Sequence, residues 1–168
     1  MLNKKEPMIK LNRTTEYGLI ALRHMSRKPD AVISAREVSD HYGFPFEITA
    51  KTLQRLRDSG LIQSAQGARG GYTLQKSLNE VTLADFLEIM EGPQAVVACA
   101  SPKSEMQGCE YHSKCEIRGV MGDLNSRFNQ FLSGISLAEL TDTNQLSGLL
   151  VQNASHSTAN FLMAGEEP

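Results

Sequence analysis

Cys99, Cys109 and Cys115 are the only cysteines of the 168-residue chain, and all lie in one polar stretch, CASPKSEMQGCEYHSKC (99–115). Nine residues separate the first pair and five the second. An odd number of thiols cannot all pair within one chain. As thiolates they could instead ligate an iron–sulfur cluster, for which the usual count is four, so three would leave one iron position to another donor. Cys109, His112 and Cys115 also resemble half of a zinc site that Cys99 could complete. A clusterless thiol sensor is the third chemistry, using a cysteine activated near Lys103 or Lys114. The N-terminal MLNKKEPMIKLNR lacks the apolar stretch of a signal peptide, and no apolar run approaches the ~20 residues of a membrane span. The expectation is a cytoplasmic protein with no membrane association. In that reducing compartment clustered cysteines point to metal or redox chemistry rather than structural bridges.

A second set of residues points to a polyanion. The net charge of −2 conceals a division. Residues 1–80 carry +5 (13 Lys/Arg against 8 Asp/Glu), and residues 81–168 carry −7 (4 against 11). In the basic half, FPFEITAKTLQRLRDSG reads as a helix with Pro45 at its first position and Ile48, Leu53 and Leu56 as its buried stripe. Thr49, Lys51, Thr52, Arg55 and Arg57 would then lie mostly off that stripe. A helix of this kind fits the major groove of DNA, where base edges are distinguishable. Lys10 and Arg13, just ahead of the first helix, suit phosphate contacts. Arg69, at the tip of a predicted hairpin, suits a minor groove with its negative potential. The candidate DNA-binding residues are therefore Lys10, Arg13, Thr49, Lys51, Thr52, Arg55 and Arg69.

The elements that must position these residues follow from periodicity and caps. A first helix is predicted from about Arg13 to Arg27, with Tyr17, Ile20, Ala21 and Met25 facing the core. Ser34 and Glu37 form a predicted capping box for a second helix that Gly43 stops. After the third helix, which Gly60 ends, LIQS and GYTLQ read as two strands around AQGARG. Gly67, Gly70 and Gly71 there permit positive φ. Thr82 and Asp85 cap a short helix closed by Gly92-Pro93. Beyond Cys115, Ile117, Val120, Met121, Leu124, Phe128, Phe131 and Leu132 make a broad apolar stripe on a longer helix. Ser136 and Glu139 start a last short one. The fold class is mainly α with a small β-hairpin: a winged helix-turn-helix plus a long helix. The chain divides into a leader (1–8), the winged helix-turn-helix (9–80), a connecting helix (81–98), the cysteine loop (99–115), the long helix and its cap (116–140), and a polar tail (141–168) expected to be disordered. The sequence holds no phosphate-cradling glycine loop after a strand, no nucleophile elbow and no HExxH, and an enzyme is not expected.

The stretches LNRTTEYGLIALRHM, TLQRLRDSGLIQSAQGARGGYTL and EVTLADFLEIMEG resemble the Rrf2 family of winged-helix transcription regulators, the type that includes IscR and NsrR. The resemblance spans roughly residues 9–140. GPQAVVAC, the cysteine loop and SLAEL look closest to the subgroup that regulates SUF iron–sulfur assembly. It implies a sequence-specific DNA-binding regulator of iron–sulfur assembly or redox and nitric-oxide response genes. It also implies a homodimer joined through the long helix and a palindromic operator. Cys99, Cys109 and Cys115 correspond in order to the family's cluster-ligating cysteines. The aspartate that completes the cluster in the nitric-oxide branch aligns with Glu16, and this carboxylate analogy favours 4Fe–4S over 2Fe–2S. Some family positions differ here. Arg118 stands where the IscR branch has its histidine ligand, Gln66 where it has a wing arginine, and Ala50 where it has a base-discriminating acid. The nine-residue gap is also longer than in IscR and NsrR.

Overall fold

The structure is a computed structural model that describes residues 11–67, 70–96 and 114–141. The leader, Lys10, Arg69, Cys99, Cys109, His112 and the tail from residue 142 lie outside the described residues. Element order is α1 (Arg13–Ser26), α2 (Ala35–Tyr42), α3 (Phe46–Asp58), β1 (Ile62–Ala65), β2 (Gly71–Leu74), α4 (Leu83–Glu91), α5 (Arg118–Ser133) and α6 (Leu137–Thr141). This is the expected mainly helical chain with one antiparallel hairpin. Its register pairs Ile62 with Leu74 and Ala65 with Gly71.

Local chemistry accounts for most boundaries. Gly43 ends α2 in the left-handed conformation (φ 69°), where only glycine pays no steric cost. The amide of Asp85 donates to Thr82 Oγ1 at 3.1 Å and that of Thr82 to Asp85 Oδ2 at 3.0 Å, the reciprocal box that starts α4. Ser136 and Glu139 repeat the pattern at α6. At α2 the box is only half made. Ser34 accepts from the Glu37 amide, but the Glu37 carboxylate turns away to Lys28 Nζ at 2.8 Å and His24 Nε2 at 3.0 Å. The imidazole then donates through Nε2, and its Nδ1 lies 3.2 Å from the Tyr42 hydroxyl. Pro45 takes the N-cap of α3 rather than its first turn, because its extended ψ of 122° suits the residue before the helix.

The core joins the two halves of the chain. Ala21, Leu22 and Met25 of α1, Val38 of α2 and Leu53 and Leu56 of α3 meet Phe86, Leu87 and Met90 of α4 and Leu132 and Leu137 beyond. Of the residues expected to line α1's buried face, Ala21 and Met25 are buried, whereas Tyr17 and Ile20 are half-buried. Gly18 lets α4 approach: a Cβ there would stand 3.1 Å from the Phe86 ring. The hairpin is anchored by backbone. Ile33 and Tyr72 exchange amide-to-carbonyl bonds of 2.9 Å in both directions. Gly71 is required by this contact rather than by positive φ, since a Cβ would lie 2.7 Å from the Ile33 carbonyl oxygen.

Gly71→Ala is therefore expected to destabilise the fold by about 1–3 kcal/mol through forced backbone displacement, read as a lower urea midpoint. A second expectation concerns pH. Hydrogen bonds from Lys28 and then His24 hold the Glu37 carboxyl below its ordinary 4.5. Its stabilisation is complete above that value and is lost as pH falls through the folded-state pKa. Glu37→Gln should flatten the acid limb of a stability-against-pH curve and leave the neutral-to-alkaline limb unchanged in shape. The effect is screened because the side chain is 36% exposed.

Candidate nucleic-acid interface and cysteine site

Which face α3 buries decides which of its residues can meet DNA. Thr49, Thr52, Leu53 and Leu56 are buried, one contiguous stripe at helical spacing. Both threonines are 1% exposed. Their hydroxyls donate back to the Pro45 and Ile48 carbonyls at 3.1 and 2.8 Å, so each offers only a methyl group to the core. The expectation that Thr49 and Thr52 face DNA is corrected on this ground. Ile48, expected in the core stripe, is instead 39% exposed. The helix turns Glu47, Lys51 and Gln54 to solvent, with Phe46 and Ile48 also exposed in its first turn.

The arginines of α3 have different tasks. Arg55 is exposed overall, yet its Nη1 donates to the Met90 carbonyl at 2.8 Å, tying α3 to the last turn of α4. Arg57 chelates the neighbouring Asp58 carboxylate with Nε at 2.9 Å and Nη2 at 2.6 Å, and that contact raises its pKa. Lys51 has neither commitment among the described residues. Arg13 stands open at the start of α1, 80% exposed and only loosely paired with Glu16 at 3.9 Å.

Asn12 makes no side-chain cap for α1. Glu91 supplies one from the far end of α4: its Oε1 accepts from the Asn12 amide at 2.9 Å and the Thr15 hydroxyl at 2.7 Å. A carboxylate at a helix N-terminus also interacts favourably with the helix dipole. Glu16, one residue on, has a side chain that is 47% exposed.

Cys115 is half-buried just ahead of α5, and it has no disulfide. Among the described residues no three His, Cys, Asp or Glu side chains converge on a metal position. A metal centre in this chain would therefore draw on donors outside the described residues. The donor types suit one. Cys115 is uncommitted, and the Glu16 carboxylate has solvent on one side and only a long contact to Arg13. Thiolates with a carboxylate make a soft site with one hard, weaker link.

Sequence reasoning missed Glu47 and Gln54, Glu91, and Arg36 of α2, whose guanidinium lies over the Phe46 ring. Gln54 becomes visible once Thr49 and Thr52 are counted as core. Glu91 had no signal, because its partners are 76 and 79 residues away.

The profile of the Rrf2 family, described as iron-dependent transcriptional regulators, matches residues 11–143. The HTH-type transcriptional regulator IscR of Photorhabdus laumondii is 24% identical over 139 residues, 82% of each chain. That of Enterobacter sp. is 25% identical over 151 residues, 89% of this chain and 90% of the other. CymR, the global cysteine regulator of B. subtilis, superposes with a TM-score of 0.61 at 21% identity, covering 80% of this chain and 97% of the other. The IscR of T. potens does so at 0.58 and 18%, covering 95% of both. The matched residues take in the helix-turn-helix, the hairpin and α5, and the chain belongs to the Rrf2 family as a DNA-binding transcriptional regulator of the Rrf2/IscR type.

Proposed function

We propose that the protein is a homodimeric, cytoplasmic regulator whose operator affinity is set by an iron–sulfur cluster. Cys99, Cys109 and Cys115 hold the cluster, and Glu16 of the partner subunit is the fourth donor. The carboxylate favours 4Fe–4S over 2Fe–2S. When bound, the cluster supplies sensitivity to oxygen, nitric oxide or iron supply at the carboxylate link, the weakest of the four. The genes under control are those of iron–sulfur assembly or of redox and nitric-oxide response.

This chain's own residues do the reading. Lys51 addresses base edges from α3, joined by the outward Gln54. Lys and Gln are standard major-groove partners of guanine and adenine. Lys10 and Arg13 contact phosphates, and Arg69 enters the neighbouring minor groove. Two such heads related by a two-fold axis call for a palindromic operator.

The observation that carries the sensing reading is the last turn of α4. Met90 accepts from Arg55 of the reading helix, Glu91 holds the start of α1 beside Glu16, and Cys99, the first residue of the cysteine segment, follows Glu91 by eight residues in the sequence. Strain imposed on that segment has a short route to both the phosphate-contacting end of α1 and α3. The dimer reading is carried by α5. Ile117, Val120, Leu124 and Phe131 are 45–65% exposed at spacings of three, four and seven, an apolar face left uncovered among the described residues. A second copy of the same helix covers such a face isologously.

Anaerobic reconstitution should give a brown protein with broad visible absorption and bound iron, and Cys115→Ser should lose both. The iron-loaded and stripped forms should differ in affinity for an operator selected from a random DNA pool. A colourless, iron-free product with intact sequence selection would instead favour the clusterless thiol regulator. Val120→Glu is expected to shift the protein toward monomer in light scattering and to weaken operator binding. A Val120→Glu protein that stays dimeric would remove α5 from the interface.

A further inference from the structure

Arg36 has no role in the reading above, and it borders a cleft. The cleft lies between the start of α2, α3 and the hairpin and encloses about 440 Å³. Arg36, Phe46, Ala50, Ser64, Gly71 and Tyr72 are among its walls. Among the described residues Arg36 is the only charged one lining it, and no carboxylate does. Its guanidinium is held 4.3 Å from the centroid of the Phe46 ring. Among the described residues it makes no ion pair.

We propose that this cleft seats one sugar–phosphate strand of the operator and that Arg36, held ready by Phe46, contacts its phosphate. The inference rests on the DNA-binding reading and on duplex geometry. Adjacent major and minor grooves are separated by a single phosphodiester strand. With α3 in the major groove and the hairpin in the next minor groove, that strand passes between them, where the cleft lies. Small walls at Ala50, Ala65 and Gly71 leave room for it, and a wall free of carboxylates does not repel it. Stacking on an aromatic face aligns a guanidinium while leaving its N–H groups for phosphate oxygens. This gives a 41%-exposed phenylalanine on the DNA side a task other than reading bases.

The experiment uses the full chain and an operator it has selected from a random pool, with affinity measured against salt. One phosphate contact contributes about 0.9 to the slope of log K against log salt. Arg36→Ala should lower the slope by that amount. It should also weaken binding about eightfold at 0.1 M salt, with the curves meeting near 1 M. Loss should be equal on operator and random DNA, because a phosphate contact carries no sequence information. Arg36→Lys should keep the slope. Phe46→Leu should keep most of the slope while reducing affinity. Neutralising single operator phosphates as methylphosphonates should reveal one whose loss costs the wild-type protein what Arg36→Ala costs, and costs that variant nothing more. An unchanged slope in Arg36→Ala, or a loss confined to particular base pairs, overturns the assignment while leaving DNA binding intact. A wild-type protein that binds no DNA removes both.

Discussion

The two hydrogen bonds accepted by Glu91 and the one accepted by the Met90 carbonyl set the relation between the reading head and everything C-terminal to it. α1 begins without a side-chain cap of its own, and the start of this 14-residue helix is held by a carboxylate carried by α4, through the Asn12 amide and the Thr15 hydroxyl. α3 is tied to the same turn through Arg55. Each such bond contributes about 1 kcal/mol, more where the acceptor is charged. Helices α1, α3 and α4 share a core through Leu22, Leu53, Phe86 and Met90. That packing fixes distance, whereas the polar ties fix how the end of α4 sits on it.

This junction separates what sequence could tell from what it could not. Interactions within four residues were legible. The box at Thr82 and Asp85, its repeat at Ser136 and Glu139, and the stop at Gly43 all stand as their spacing predicts. Where a long-range partner competes, local logic fails. Glu37 has the right spacing to complete a box with Ser34, yet Lys28, just beyond α1, offers a charged donor and His24 of α1 an N–H, and they win. Thr49 and Thr52 were misread for a related reason. Hydrophobicity ranks threonine as polar, but a hydroxyl satisfied by its own helix leaves a methyl group that packs. The candidate interface was legible as a helix and only in part as residues: Lys51 is exposed as expected, while Arg55 is bonded to α4 and two of the seven residues are core.

α5 shows the same divide from the opposite side. Its apolar stripe was visible at spacings of three and four, but among its residues only Leu132 is buried by this chain. A sequence pattern records that a face avoids water without recording which surface covers it. The charge division adds a second clue. The acidic half carries α5, so in the proposed dimer two copies meeting there would leave their basic halves free for the operator. α5 itself carries Arg118, Asp123 and Arg127, so in the proposed dimer the contact would be made by Val120, Leu124 and Phe131 rather than by charge.

Energetics bound how an effector at residues 99–115 can act. A ligand shifts an equilibrium only by its differential affinity for the two states. A tenfold change in operator affinity corresponds to about 1.4 kcal/mol. That is the size of one or two of the bonds made at Met90 and Glu91, so no rearrangement of the hydrophobic core is required. Core packing resists graded deformation, whereas a carboxylate that either caps α1 or does not has two discrete arrangements. Releasing Glu91 would free the Asn12 amide and the Thr15 hydroxyl at once, loosening the turn that carries Arg13 and Glu16. Because one turn holds both an anticipated phosphate contact and an anticipated cluster ligand, the proposed regulator would link operator and effector through it. Linkage makes that coupling reciprocal: whatever the effector does to operator affinity, the operator does to effector affinity by the same factor.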